Sequence, residues 1–134
     1  MMAGYSGTPL WKKLGLKDEM RAAVMNPPAG YRDVLLEDAP AVIWGELDDG
    51  VFFTHIFSTA RSELEISLKK ALDLMDRNGM IWVSWPKKAS KRPTDITEDT
   101  IREICLPMGL VDVKVCAVDD VWSGLKLVIR KELR

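Results

Sequence analysis

Gly79–Lys88, GMIWVSWPKK, decides the fold. A glycine opens a nearly unbroken apolar run, Met80 to Trp85, and a proline followed by two lysines closes it. Such a run, with no polar alternation, is the pattern of a central strand covered on both faces. Just before it, Leu64, Leu68, Ala71, Leu72 and Met75 recur at helical spacing. An amphipathic helix is therefore expected from Thr59 onward, capped by Ser58 or Thr59 and stopped by Gly79. A helix feeding a buried strand is an α/β unit, and open α/β sheets bind ligands beyond the carboxyl ends of their strands. Ser84, Trp85, Lys87 and Lys88 fall at such an end.

Toward the N-terminus, Thr8-Pro9 starts and Gly15 stops a short helix over Pro9–Leu14, part of a helical brace spanning residues 1–16. Arg21–Met25 reads as a buried first strand, closed by Asn26-Pro27-Pro28-Ala29-Gly30, which neither helix nor strand can pass through. Tyr31, Val34 and Leu35 then suggest a helix of two turns over Tyr31–Glu37, ended by Asp38-Ala39-Pro40. Ala41–Leu47 and Val51–Phe57 are strand-like, and the short Asp48-Asp49-Gly50 connection makes an antiparallel hairpin the local expectation. The alternative is that the two strands lie apart in the sheet.

Toward the C-terminus, Lys87–Pro93 forms a basic loop. Thr97 caps a helix carrying Ile101, Ile104, Cys105 and Met108, which Pro107 shortens and Gly109 stops. Val111–Val118 and Gly124–Arg130 form a terminal hairpin around Asp119–Ser123. The alternation predicts a single three-layer Rossmann-like α/β domain over residues 1–134, its sheet mostly parallel with a terminal antiparallel pair.

Composition narrows the function classes. With 134 residues, 47% of them hydrophobic, the chain has enough apolar material for a core without staples. Nineteen basic and twenty acidic residues give a net charge of -1, which disfavours a protein whose main partner is nucleic acid. The apolar runs are strand length, far short of a membrane span, and the N-terminus shows no export signal, so a cytoplasmic location is expected. Cys105 and Cys116 lie apart, with His55 as the single imidazole. Free thiols, and no metal site, follow.

LGLKDEMRAAVMNPP, the HIF run, GMIWVSWPKK and WSGLKLVIRKEL resemble a bacterial family of unknown function whose members read as trimmed class I methyltransferase-like domains. The resemblance covers most of the chain and implies fold rather than activity. It also exposes a departure. A cofactor loop of this type needs glycines that let backbone amides approach the ligand, whereas Asn26–Gly30 has two prolines and one glycine. Glu46, twenty positions beyond Asn26, stands where such folds place a ribose-binding carboxylate.

Two functional readings follow. The first is a non-catalytic domain without a cofactor, acting through a protein partner or as a homodimer. Its contact face is Trp85, Trp122 and the cations Lys87, Lys88, Lys91 and Arg92, which also suit an anion. The alternative is a small-molecule binder or enzyme at the strand ends, with Asn26, Gly30, Glu46 and Ser84 contacting an adenosyl or phosphate ligand; S-adenosylmethionine is the weaker cofactor expectation because the glycines are missing. Ser84 has no base nearby in sequence, His55 is expected as a hydrogen-bonded core residue, and Asp119 and Asp120 as turn formers.

Overall fold

The computed structural model describes residues 7–134. Its frame is a six-stranded sheet built from β1 (Arg21–Met25), β2 (Ile43–Trp44), β3 (Val51–Phe57), β4 (Met75–Pro86), β5 (Leu110–Ala117) and β6 (Trp122–Ile129), in the order β2-β1-β3-β4-β6-β5. The first four strands run parallel, and β6 pairs antiparallel with both β4 and β5. Helices α1 (Leu10–Leu14), α2 (Arg61–Leu74) and α3 (Glu98–Cys105) cover the faces, giving the three layers and the mostly parallel sheet expected.

The apolar pattern of each element sets its layer. On one face, Leu64 and Leu68 of α2 and Ile101 and Ile104 of α3 pack on Ile56, Ile81, Val83, Leu125 and Leu127. On the other, Leu14, Leu16, Tyr31 and Leu36 cover Phe53, Phe57, Trp82 and Trp122. Trp82 is fully buried, and its indole N–H donates to the Leu14 carbonyl at 2.9 Å, which ties α1 to the central strand. No helix among the described residues is long and apolar enough to cross a membrane.

Two local expectations are corrected. β2 and β3 are not a hairpin: both run parallel to β1, on opposite sides of it, joined by a short crossover through residues 45–50. Arg21 at the start of β1 holds that crossover through an ion pair with Asp48 and a 2.9 Å bond to the Asp49 carbonyl. Leu47 packs into the α2–α3 face, so a hydrophobic anchor and a cation replace the usual crossover helix. The second correction concerns Gly79. Helix α2 stops at Leu74, and β4 starts at once with Met75 opposite Val51, slips register, and resumes with Met80 opposite Phe53. Gly79 sits in this irregularity, where a Cβ would lie 2.6 Å from the Phe52 carbonyl oxygen. Its role is close backbone approach within a strand.

Between β1 and β2, the segment expected as a helix forms a π-helical turn, Tyr31–Leu35, with both Val34 and Leu35 amides donating to the Gly30 carbonyl. Thr97 caps α3 as expected: its Oγ1 accepts from the Thr100 amide while Thr100 Oγ1 accepts from the Thr97 amide.

Candidate functional site

The strand order reverses at β1. From β1 the chain moves to β2 on one side and then returns to β3 on the other, so the carboxyl ends of β1 and β3 flank a switch point, the position at which open α/β sheets bind ligands. Asn26 follows β1 there with φ 57°, a left-handed conformation that asparagine tolerates better than most residues, and its side-chain amide points to the Phe57 carbonyl at 3.5 Å. Pro28 to Tyr31 then form a tight turn, closed by the Tyr31 amide on the Pro28 carbonyl, with Gly30 at φ 77°.

The two sides of this switch point differ. On the β3 side the end is filled by the chain itself: Thr94 Oγ1 donates to the Thr59 carbonyl at 2.7 Å, and Asp95 Oδ1 accepts from the Arg61 amide at 2.7 Å. Asp95, and not Ser58 or Thr59, thus satisfies the first turn of α2, and the Ser58 hydroxyl donates to the Ala60 carbonyl. On the β1 side an open cleft of about 340 Å³ remains, lined by Val24, Pro27, Pro28, Gly30, Tyr31, Arg32 and Asp33. The Arg32 guanidinium reaches round to lie 5.3 Å from the centre of the Trp44 ring, at a second cleft on the far side of the π-helical turn.

Beneath the cleft runs a buried polar chain. The Tyr31 hydroxyl lies 2.8 Å from His55 Nδ1, and His55 Nε2 lies 2.8 Å from Ser84 Oγ. His55 and Ser84 have no solvent exposure, and burial alone pushes the imidazole pKa down to about 3, so His55 is neutral. Burial also raises the Tyr31 phenol. With one proton to share between two ring nitrogens, His55 accepts from one hydroxyl and donates to the other. Phe57 stacks on the imidazole at 4.2 Å between centroids, and Tyr31 meets it edge-on at 5.3 Å. This is a sealed brace holding the cleft wall to β3 and β4. Ser84 does have a base beside it, yet no reactant reaches either group.

The expected site residues are therefore distributed unevenly. Asn26 and Gly30 stand on the loop that shapes the cleft, and Glu46 is exposed on the crossover beyond β2. Ser84 cannot contact a ligand, because its hydroxyl is committed beneath the surface. Trp85 and Trp122 do not form a surface face either: they are 7% and 9% exposed and belong to the cores on opposite faces of the sheet. Trp122 opens β6 opposite Pro86 instead of sitting in a loop. Lys88, Lys91 and Arg92 are exposed and Lys87 half-buried, on a turn where Lys91 takes φ 59°. Asp119 acts as the turn former expected, its Oδ1 accepting from the Val121 and Trp122 amides at 2.8 Å. Cys105 is buried and Cys116 partly so, both unpaired, and the described residues contain no cluster of potential metal ligands. The polar chain was not legible in sequence because its members lie 24 and 29 positions apart; the available signal was a histidine and a serine inside otherwise apolar runs of β3 and β4.

No family model and no curated protein matches the chain. Solved structures do. The magnesium protoporphyrin IX methyltransferase ChlM from Synechocystis PCC 6803, solved with S-adenosylhomocysteine, superposes with a TM-score of 0.58 at 10% identity over 84% of this chain and 74% of its own. Fibrillarin from Aeropyrum pernix, with natively bound S-adenosylmethionine, gives 0.54 at 14% over 93% and 70%. LepI in complex with S-adenosylmethionine gives 0.55 at 12% over 92% of this chain, which spans only 47% of LepI. The expectation of a fold without a cofactor is overturned by these relatives, each solved with an S-adenosyl compound bound. At such identities the likeness is one of fold, and the chain carries a class I methyltransferase-like α/β fold.

Proposed function

We propose that this protein binds an adenosyl ligand in the open cleft beside the carboxyl end of β1, with Asn26 and Gly30 at the loop, Tyr31 as a wall and Glu46 as a hydroxyl-binding carboxylate. The observation that carries the reading is the cleft's position: it occupies the open half of the switch point, in a fold whose relatives are solved with S-adenosylmethionine or S-adenosylhomocysteine.

The residues present suit the adenosyl group in a particular way. Pro27 and Pro28 withhold two amide donors, while the Ala29 and Gly30 amides make no hydrogen bond among the described residues. Space above Gly45 is open, with nothing within 4 Å of an added Cβ. The site thus offers apolar and aromatic surface, two free amides and the side chains of Asn26, Arg32 and Asp33. A ligand would be held through its rings and ribose more than through a glycine cradle. S-adenosylmethionine brings an activated methyl group wherever it binds; the proposal for this chain is binding.

Titration calorimetry with S-adenosylmethionine and S-adenosylhomocysteine tests it, alongside Asn26→Gly, which keeps a left-handed backbone, and Glu46→Gln. Binding by the native chain, weakened about tenfold in each variant, is expected, since losing one hydrogen bond to a charged or polar ligand group costs about 1.5 kcal/mol. A ligand at 100 times its dissociation constant stabilises the fold by about 2.7 kcal/mol. No heat and no stabilisation at millimolar concentration of either compound would overturn the reading.

A further inference from the structure

Pro86 ends β4, and the next six residues carry four cations, Lys87, Lys88, Lys91 and Arg92. The loop that holds them is fixed at both ends. At its start the Lys87 amide donates to the Val121 carbonyl at 2.7 Å, beside the turn that leads into β6, and at its far end Thr94 and Asp95 bind Thr59 and Arg61 at the first turn of α2. Between these anchors Lys88–Ser90 forms a single 3-10 turn. Ser90 Oγ donates to the Lys87 carbonyl at 2.6 Å and accepts from the Arg92 amide at 3.3 Å, while the Lys91 amide donates to the Lys88 carbonyl at 3.1 Å. The Lys87 and Lys88 carbonyls are thus taken up inside the turn. Its far anchor is the amino end of α2, where the helix dipole favours negative charge.

Lys91 takes φ 59°, a left-handed conformation that glycine or asparagine occupies at less cost. A lysine held there points to a use for its ammonium group. No carboxylate pairs with any of the four cations among the described residues, whereas Arg21, Arg61, Arg102 and Arg130 each hold one. The acids on the neighbouring segments are engaged or apart: Asp95 accepts from the Arg61 amide, Asp119 from the Val121 and Trp122 amides, and Asp120 is exposed and forms no ion pair. A net charge of -1 over the whole chain therefore conceals a local positive excess at the carboxyl end of β4.

We infer that Lys87, Lys88, Lys91 and Arg92 form a recognition surface for a phosphate-bearing ligand lying over the carboxyl ends of β3 and β4. A phosphate presents several oxygens and up to two charges, so it accepts from ammonium and guanidinium groups at once. β4 stands two strands from β1, about 10 Å at the usual strand spacing, which separates this surface from the β1 cleft while leaving both on the same edge of the sheet. Phosphate binding here needs no adenosyl compound, so the two sites can fail separately.

Thermal unfolding and calorimetric titration in phosphate, against chloride at equal ionic strength and with no adenosyl compound present, test the surface on the full chain. The native protein is expected to bind inorganic phosphate with a dissociation constant of about 1 mM or tighter, and Lys88→Gln and Lys91→Gly each to weaken it about tenfold. In chloride Lys91→Gly should match or exceed the native melting temperature, because glycine takes a left-handed backbone without strain; the loss is then one of charge and not of folding. A second arm titrates a short oligouridylate. Binding much tighter than that of inorganic phosphate, with a salt slope that falls by about 0.7 for each cation removed, identifies a phosphodiester strand as the source, and equal or weaker binding identifies a single phosphate group. Phosphate stabilisation no greater than that of chloride, or unchanged in both variants, would overturn the surface.

Discussion

His55 is the residue on which the architecture of the cleft wall turns. It was legible as a core histidine from VFFTHIF, but its partners were not, since nothing in sequence brings Tyr31 and Ser84 to its two nitrogens. The consequence is a pH dependence whose sign follows from burial. Unfolded, the imidazole takes a proton near pH 6.5; folded, only at about 3. Between those values the unfolded chain binds more protons, so stability rises with pH across the window and is lost as pH falls below about 6.5. One such group contributes a slope approaching about 1.4 kcal/mol per pH unit. The Tyr31 phenol stays protonated throughout and adds no slope of its own. Chemical denaturation at pH 7, 6 and 5 should show the native protein losing stability, and His55→Gln starting lower at pH 7 but with a visibly flatter profile. Parallel profiles for the two proteins would remove His55 as the cause.

At the scale of elements, the sequence marked what each strand and helix is made of better than where it stops. The capping of α3 by Thr97 was legible because a cap is a local signal spanning three residues. The cap of α2 was not, because Asp95 arrives 34 positions later to bind the Arg61 amide. In sequence Gly79 has the position of a helix stop, since glycine after an amphipathic run commonly plays that part. Its actual constraint is the Phe52 carbonyl on the neighbouring strand, visible only once β3 and β4 are paired. That distinction has a measurable outcome. A Cβ at 2.6 Å from backbone oxygen forces the β3–β4 register irregularity to shift, so Gly79→Ala should cost about 1–3 kcal/mol, as overpacking does, although alanine normally favours both helix and strand over glycine. A denaturant midpoint unchanged or raised in Gly79→Ala would show that the bulge yields freely.

At the scale of the whole molecule, the alternation of elements carried the layers and the terminal antiparallel pair, while the order of strands was beyond it. The connection at residues 45–50 is short enough for a hairpin, and only the clamp of Arg21 on Asp48 and Asp49 with the seating of Leu47 explains how so few residues cross beneath β1. That choice fixes where the switch point lies, and with it the cleft. It also makes stability uneven across the sheet. β3 and β4 are flanked by strands on both sides and nearly sealed on both faces, whereas β2 is a two-residue edge with Ile43 exposed. Local opening draws on few buried contacts first, so native-state hydrogen exchange should find the β3 and β4 amides protected to near the global free energy, and those of Ile43 and Gly45 exchanging fastest within the sheet. Since the proposed adenosyl site borders β1 and the crossover, ligand should slow exchange in β2 and residues 26–36 well before it affects β5 and β6. Slowing confined to β5 and β6, with residues 26–36 and β2 unchanged, would place the ligand elsewhere, because binding in the β1 cleft stabilises against every opening that disrupts it, global unfolding included.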